Sequence, residues 1–262
     1  MSEQAGLSPG EVAEIVRHAG DAVVVGAQAL AIWGQVLGVP VPGEALTRDI
    51  DFLGDSVDAA NLANRLGGVC RIPSLDDHTP NSALVTLRNF QGRTIQIDYL
   101  HDLAGLNAGA VRRRALEVGL PGTGIRCRVM HPYDCLESRV QNLALLPHKD
   151  TSAGVRQAAH ATHVMAHYLA RLLNSGERPA IREALNFTEK LADLACSEPG
   201  LRLWARHGLD LLDAMPPLRT YPEMFRMKRY PQIQARIDKK RARFAAVRGL
   251  DRKDCGEPEA AP

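Results

Sequence analysis

Asp49 and Asp51 stand two residues apart in the stretch Thr47-Arg48-Asp49-Ile50-Asp51-Phe52. Side chains of an extended strand alternate sides, so both carboxylates point the same way. Ile50 and Phe52 then face the opposite side, as core residues would. Two carboxylates this close repel unless something positive lies between them. A divalent metal is the usual solution, because Mg²⁺ sites are assembled from a few carboxylates together with substrate phosphates. The chemistry this pair points to is phosphate transfer. A third carboxylate, Asp98, falls near the end of a later strand, Arg93–Leu100. There Ile95 and Ile97 share one face, and Thr94, Gln96 and Asp98 share the other.

These carboxylates have to be held by the elements around them. Ser8-Pro9-Gly10-Glu11 has the form of a helix start: Ser8 caps, Pro9 suits the first helical position and Glu11 completes a capping box. Ala22–Val25 is a short run of apolar, mostly β-branched residues without alternation and predicts a buried strand. Gly26-Ala27 follows at once, and Gln28–Leu37 predicts a helix, so the unit is strand, tight turn, helix. A Pro/Gly-rich loop leads to the Thr47–Leu53 strand. Val57–Leu66 predicts a helix capped by Asp55 or Ser56 and stopped at Gly67-Gly68. Ala83–Phe90 and Arg93–Leu100 predict a hairpin across Gln91-Gly92. Between these elements, the loop Pro73–Ser82, with Asp76, Asp77 and His78, is placed to shape an acceptor pocket. From Pro132 onward the pattern is helical: Pro132–Leu146, Ser152–Leu173, Pro179–Cys196 and Leu201–Met215, punctuated by Pro and Gly.

Composition narrows the class. The chain has 262 residues, 45% of them hydrophobic and 24% charged, ordinary values for a globular protein. No apolar run approaches the roughly 20 residues that span a bilayer, and Met1-Ser2-Glu3-Gln4 lacks the form of a signal peptide. Five cysteines occur without a CxxC pair, which argues against a zinc ribbon or disulfide framework. These features predict a cytoplasmic protein without membrane association. The net charge of +2 conceals an asymmetry, because Arg226–Lys253 contains eleven Lys or Arg and two acids. Such a segment either meets a polyanion such as RNA or covers an acidic body. Arg112-Arg113-Arg114 reads as a solvated helix face. His160, His163 and His167 share a helix face but lack the further ligands that a closed metal site needs.

A strand, glycine turn and helix, then an Asp-x-Asp strand, then one Asp on a later strand resembles the nucleotidyltransferase fold of the DNA polymerase β superfamily. Val25-Gly26-Ala27-Gln28-Ala29-Leu30 and Thr47-Arg48-Asp49-Ile50-Asp51-Phe52-Leu53 are most similar to the AbiEii/AbiGii toxin-like branch. His131-Pro132-Tyr133-Asp134-Cys135-Leu136-Glu137-Ser138-Arg139 resembles that branch's Pro-x-Asp helix. The likeness covers roughly residues 20 to 150. It implies an α+β fold, a mixed sheet with flanking helices in residues 1–130; the helical pattern beyond it predicts a helical domain over 131–248, and the polar composition of the end a disordered tail over 249–262. It also implies an enzyme that moves a nucleoside monophosphate from an NTP to an acceptor hydroxyl. Asp49, Asp51 and Asp98 would then be the catalytic residues and the ligands of Mg²⁺ or Mn²⁺, with Asp98 as general base. Gly26, Ala27 and Arg48 would contact the nucleotide, and Arg139 and Lys149 are candidates for its triphosphate. The acceptor would be tRNA or another RNA, a protein side chain or a small molecule, and a toxin-like enzyme would have a cognate antitoxin. Ala27 stands where the branch has a second glycine or a serine. That motivates the alternative of a non-catalytic, binding or antitoxin-like module on the same fold.

Overall fold

The computed structural model describes residues 7–40, 49–74, 76–89 and 92–248. Two compact units divide the chain, Met1–Ser138 and Arg139–Pro262, and the division falls inside one helix, Pro132–Leu145. The first unit is α+β and the second is helical.

The first unit is built on a seven-stranded mixed sheet. Its strands are β1 Val23–Val25, β2 Ile50–Leu53, β3 Val69–Arg71, β4 Asn81–Arg88, β5 Thr94–Leu100, β6 Leu116–Gly119 and β7 Arg126–Val129. They lie in the order β3-β4-β5-β2-β1-β7-β6. β1 runs antiparallel to β2 and parallel to β7, and β2 runs parallel to β5. The sequence reading lacked β3, β6 and β7. β6 and β7 form a hairpin of four residues on each side, and their Glu, Arg and Cys residues mask the strand pattern. Three buried valines form β1, between β2 and β7.

Helices α1 Pro9–Arg17, α2 Gly26–Leu37, α3 Ser56–Leu66, α4 Ala108–Arg114 and α5 Pro132–Leu145 accompany the sheet. The capping box of α1 is present: Glu11 N donates to Ser8 Oγ at 3.2 Å and Ser8 N donates to Glu11 Oε2 at 2.7 Å. Asp55 caps α3 by accepting from the amides of Val57 and Asp58, each at 2.9 Å. α2 begins at Gly26, directly from β1, rather than after a separate turn. Its Trp33 donates from Nε1 to the Met130 carbonyl at 2.8 Å, tying α2 to the end of β7. In the core, Phe52 of β2 stacks on Tyr99 of β5 with ring centroids 5.2 Å apart. Such pairs add about 0.5–1.5 kcal/mol beyond their buried area.

Helices α6 Ser152–Asn174, α7 Arg178–Cys196, α8 Glu198–His207 and α9 Tyr230–Arg248 belong to the second unit. The helix expected over Leu201–Met215 is corrected here. α8 ends at Gly208, whose φ of 64° takes a conformation that an L side chain disfavours, and a short 3₁₀ turn, Leu211–Ala214, follows. Ile233 and Ile237 bury one stripe of α9. Among the described residues no helix is long and apolar enough to cross a membrane. Residues 249–262, expected as a tail, and Thr47, Arg48 and Phe90, at the ends of expected strands, lie outside the described residues.

Candidate active site

Register brings the first two elements of the site together. β1 and β2 pair so that Val25 lies opposite Asp51, and Gly26 comes immediately after Val25. Gly26 has φ +69°, and a β-carbon built on it would stand 2.2 Å from Asp51 Oδ2. The missing side chain is therefore the room that the Asp51 carboxylate occupies. This places a carboxylate against the first residue of α2, where backbone N–H groups leave the strand and enter the helix. Ala27 is the next residue of that helix and keeps its backbone N–H.

Register also brings in the third element. β2 and β5 are parallel, with Asp51 directly opposite Asp98. Both are half-buried, between neighbours that are fully buried: Ile50 and Phe52 on one strand, Ile97 and Tyr99 on the other. The expected alternation is present along β5 and around Asp51, while Leu53 at the end of β2 is buried as well. Asp49 is exposed, just before β2. Burial raises the Asp98 pKa above the ordinary carboxylate range, and the negative charge of Asp49 raises it further. Hydrogen bonds from Gln96 and Asn81 oppose that rise. Asn81 Nδ2 donates to Asp98 Oδ1 at 2.9 Å, and Gln96 Nε2 lies 3.4 Å from both carboxylate oxygens. The structure thus gathers Gly26, Asp51 and Asp98, with Asp49 near enough to act on Asp98 electrostatically.

Asn81 is the residue that sequence reasoning missed. It lies in the Pro73–Ser82 stretch considered for an acceptor pocket, but nothing in the pattern ties it to Asp98. A cavity of about 550 Å³ does lie along this stretch, lined by residues that include Ser74, Asp77, His78, Asn81 and His101. Asn81 forms part of its wall and also holds Asp98.

The other expected site residues are placed as follows. Arg48 lies outside the described residues. Arg139 and Lys149 belong to the helical unit. There Arg139 Nη1 donates to Gln157 Oε1 at 3.0 Å, and Lys149 is exposed at the end of a 3₁₀ turn, Pro147–Lys149. In the Pro-x-Asp helix, Asp134 is completely buried and accepts from Arg114, whose Nε lies 3.0 and 3.1 Å from its two carboxylate oxygens and whose Nη2 donates as well. That corrects the reading of Arg112-Arg113-Arg114 as a solvated face. Arg114 anchors α5, and the Arg112 carbonyl accepts from Arg128 Nη2 at 2.7 Å. Within the basic segment, Arg229 binds Glu189, Arg236 lies 2.9 Å from Asp193, and Arg241 Nη1 donates to Asp210 at 2.9 Å. Arg241 also lies over the Trp204 ring, 4.9 Å from its centroid. Arg236 and Arg241 of α9, and Arg229 just before it, are therefore matched by acids of their own unit.

Among the described residues no three His, Cys, Asp or Glu side chains converge closely enough to hold one metal ion. What the site offers is an adjacent carboxylate pair, Asp51 and Asp98, with Asp51 against Gly26 at the start of α2. This donor set fits Mg²⁺, which protein sites hold through one or two carboxylates while water and substrate phosphates complete the octahedron. Comparison with protein-family models, curated proteins and solved structures finds no match for this chain.

Proposed function

We propose that the chain is a Mg²⁺- or Mn²⁺-dependent nucleotidyltransferase, transferring a nucleoside monophosphate from an NTP to an acceptor hydroxyl. The single observation that carries the reading is the placement of Asp51, between Asp98 on the neighbouring strand and Gly26 at the start of α2. Two carboxylates on adjacent strands are unfavourable by themselves, because each raises the other's affinity for protons. Their position beside a helix start supplies what a nucleotide triphosphate requires: backbone N–H donors for its oxygens and oxygen ligands for its metal.

In this reading the amides at the start of α2 hold the donor phosphates, and the absence of a side chain at Gly26 leaves room beside them for the Asp51 carboxylate. Asp51 and Asp98 would hold the metal, which when bound neutralises charge on the triphosphate. The acceptor oxygen forms a bond to the α-phosphorus as the bond from that phosphorus to the bridging oxygen of the β-phosphate breaks. Pyrophosphate leaves, and the hydroxyl proton passes to Asp98. Catalysis rests on positioning and charge compensation, as in phosphoryl transfer generally.

The test is label transfer. The full chain is incubated with each α-labelled NTP, Mg²⁺ or Mn²⁺, and bulk RNA, protein or small alcohols. Covalent label is expected in one acceptor class and is expected to vanish in Asp51→Ala. Label transfer that persists in Asp51→Ala contradicts the proposal.

A further inference from the structure

The strand β4 contains one irregularity, and it falls beside the site. Along most of its length β4 alternates cleanly: Ala83, Val85 and Leu87 are buried, while Leu84 pairs with Asp98. Continued without interruption, that alternation would send residue 81 to the buried side with Ala83. The register breaks first. Ala83 lies opposite Tyr99 and Asn81 lies opposite Leu100, so two steps along β4 match one step along β5. Ser82 is the extra residue of a β-bulge. Because side chains alternate with period two, one inserted residue moves everything beyond it to the other face. Asn81 thereby joins Leu100 and Asp98 on the carboxylate face.

The bulge is tied down at its extra residue. Ser82 Oγ lies 3.0 Å from the Gly54 carbonyl and 3.1 Å from the Tyr99 carbonyl, so its hydroxyl donates into the gap that the bulge opens. On the other side, Asn81 N donates to Thr79 Oγ1 at 3.2 Å, which fixes the approach of the chain. The Asn81 side chain then reaches Asp98 Oδ1 at 2.9 Å. The Asn81 amide is the shorter contact to the carboxylate, since Gln96 Nε2 lies 3.4 Å from both oxygens, and a donor held by the backbone in this way fixes the plane of the group.

We propose that the bulge at Ser82 is a positioning device: it turns Asn81 onto the carboxylate face, where its amide sets the orientation of Asp98 for the transfer reaction. The role rests on the nucleotidyltransferase reading, while the orienting contact is independent of it. Asn81 is a positioning residue; it acts through Asp98 and needs no contact with the nucleotide. Residues that orient a metal-binding or catalytic carboxylate are worth about 10–100-fold in affinity or activity.

The experiment reads the contact and the reaction separately, in the full chain. First, the carboxyl-carbon resonance of Asp98 is recorded at pH 8 without metal or nucleotide, in the parent chain, Asn81→Ala and Ser82→Ala. It is expected to move in both variants, with urea midpoints confirming that each is folded. Second, steady-state transfer is expected to show kcat reduced about 10–100-fold in Asn81→Ala, with the KM for NTP little changed. An Asp98 resonance that stays in place in Asn81→Ala overturns the proposal, as does unchanged kcat. Absence of transfer by the parent chain overturns the functional reading instead, and is seen before any variant is made.

Discussion

Gly26 and Asp51 compete for one space: a β-carbon on Gly26 would stand 2.2 Å from Asp51 Oδ2 and 3.2 Å from its Cγ. The contact explains why the first residue after β1 has no side chain, and the φ of +69° gives a second reason. Gly26→Ala should therefore destabilise the chain by about 1–3 kcal/mol and displace the Asp51 carboxylate. A double-mutant cycle with Asp51→Ala measured by urea unfolding separates the two effects. The substitution at Gly26 should be less damaging where the carboxylate is already gone. Equal penalties in both backgrounds would show that the two groups do not share space.

Asp98 should leave a signature in stability as well as in chemistry. Its pKa is raised in the folded chain, by burial first and by the charge of Asp49 next. A carboxylate raised in this way favours the folded state at low pH, and that advantage is lost as pH rises through its folded pKa. Asp98→Asn removes the charge and keeps an oxygen that can accept from Asn81. Thermal unfolding at pH 7 should occur at a higher temperature in the variant than in the parent. The difference should shrink below the ordinary aspartate range of about 4, where the parent carboxyl is protonated in both states. A lower unfolding temperature at pH 7 would contradict this.

Arg114 and Asp134 form the ion pair on which the start of α5 depends. Asp134 is fully buried, and Arg114 holds it through both Nε and Nη2. Arg114→Ala leaves a buried charge uncompensated and should lower stability by about 3–5 kcal/mol. Asp134→Asn, which retains an acceptor and removes the charge, should be milder. Urea midpoints of both variants measure the difference, and a loss below about 1 kcal/mol in Arg114→Ala would place the pair among ordinary surface bridges.

How far the sequence led is visible residue by residue. The glycine after β1, the outward face of Asp51 between Ile50 and Phe52, and the polar face carrying Asp98 were legible because each depends on strand periodicity or on a single permissive residue. The adjacency of Asp51 and Asp98 was not, because strand order is decided by long-range pairing that no local pattern records. Asn81 was hidden for a different reason. Its face is set by a bulge at Ser82, and counting by twos from Ala83 gives the wrong side. The role of Arg114 was hidden in the same way, since a run of three arginines reads as solvated until the buried carboxylate of Asp134 is found 20 residues away. The basic segment shows the reverse case. Its charge was legible, but its partners Glu189, Asp193 and Asp210 lie on other elements.

The most direct test of the central proposal follows the two ends of the triphosphate separately. The full chain is given one NTP labelled at the α-phosphate and, in a parallel reaction, the same NTP labelled at the γ-phosphate, with Mg²⁺ and the pooled acceptors. Nucleotidyl transfer predicts that α-label becomes covalently attached to an acceptor, that γ-label is released as pyrophosphate, and that Asp51→Ala and Asp98→Asn abolish both. Attachment of the γ-label, or no attachment of either label with any NTP and either metal, would contradict it.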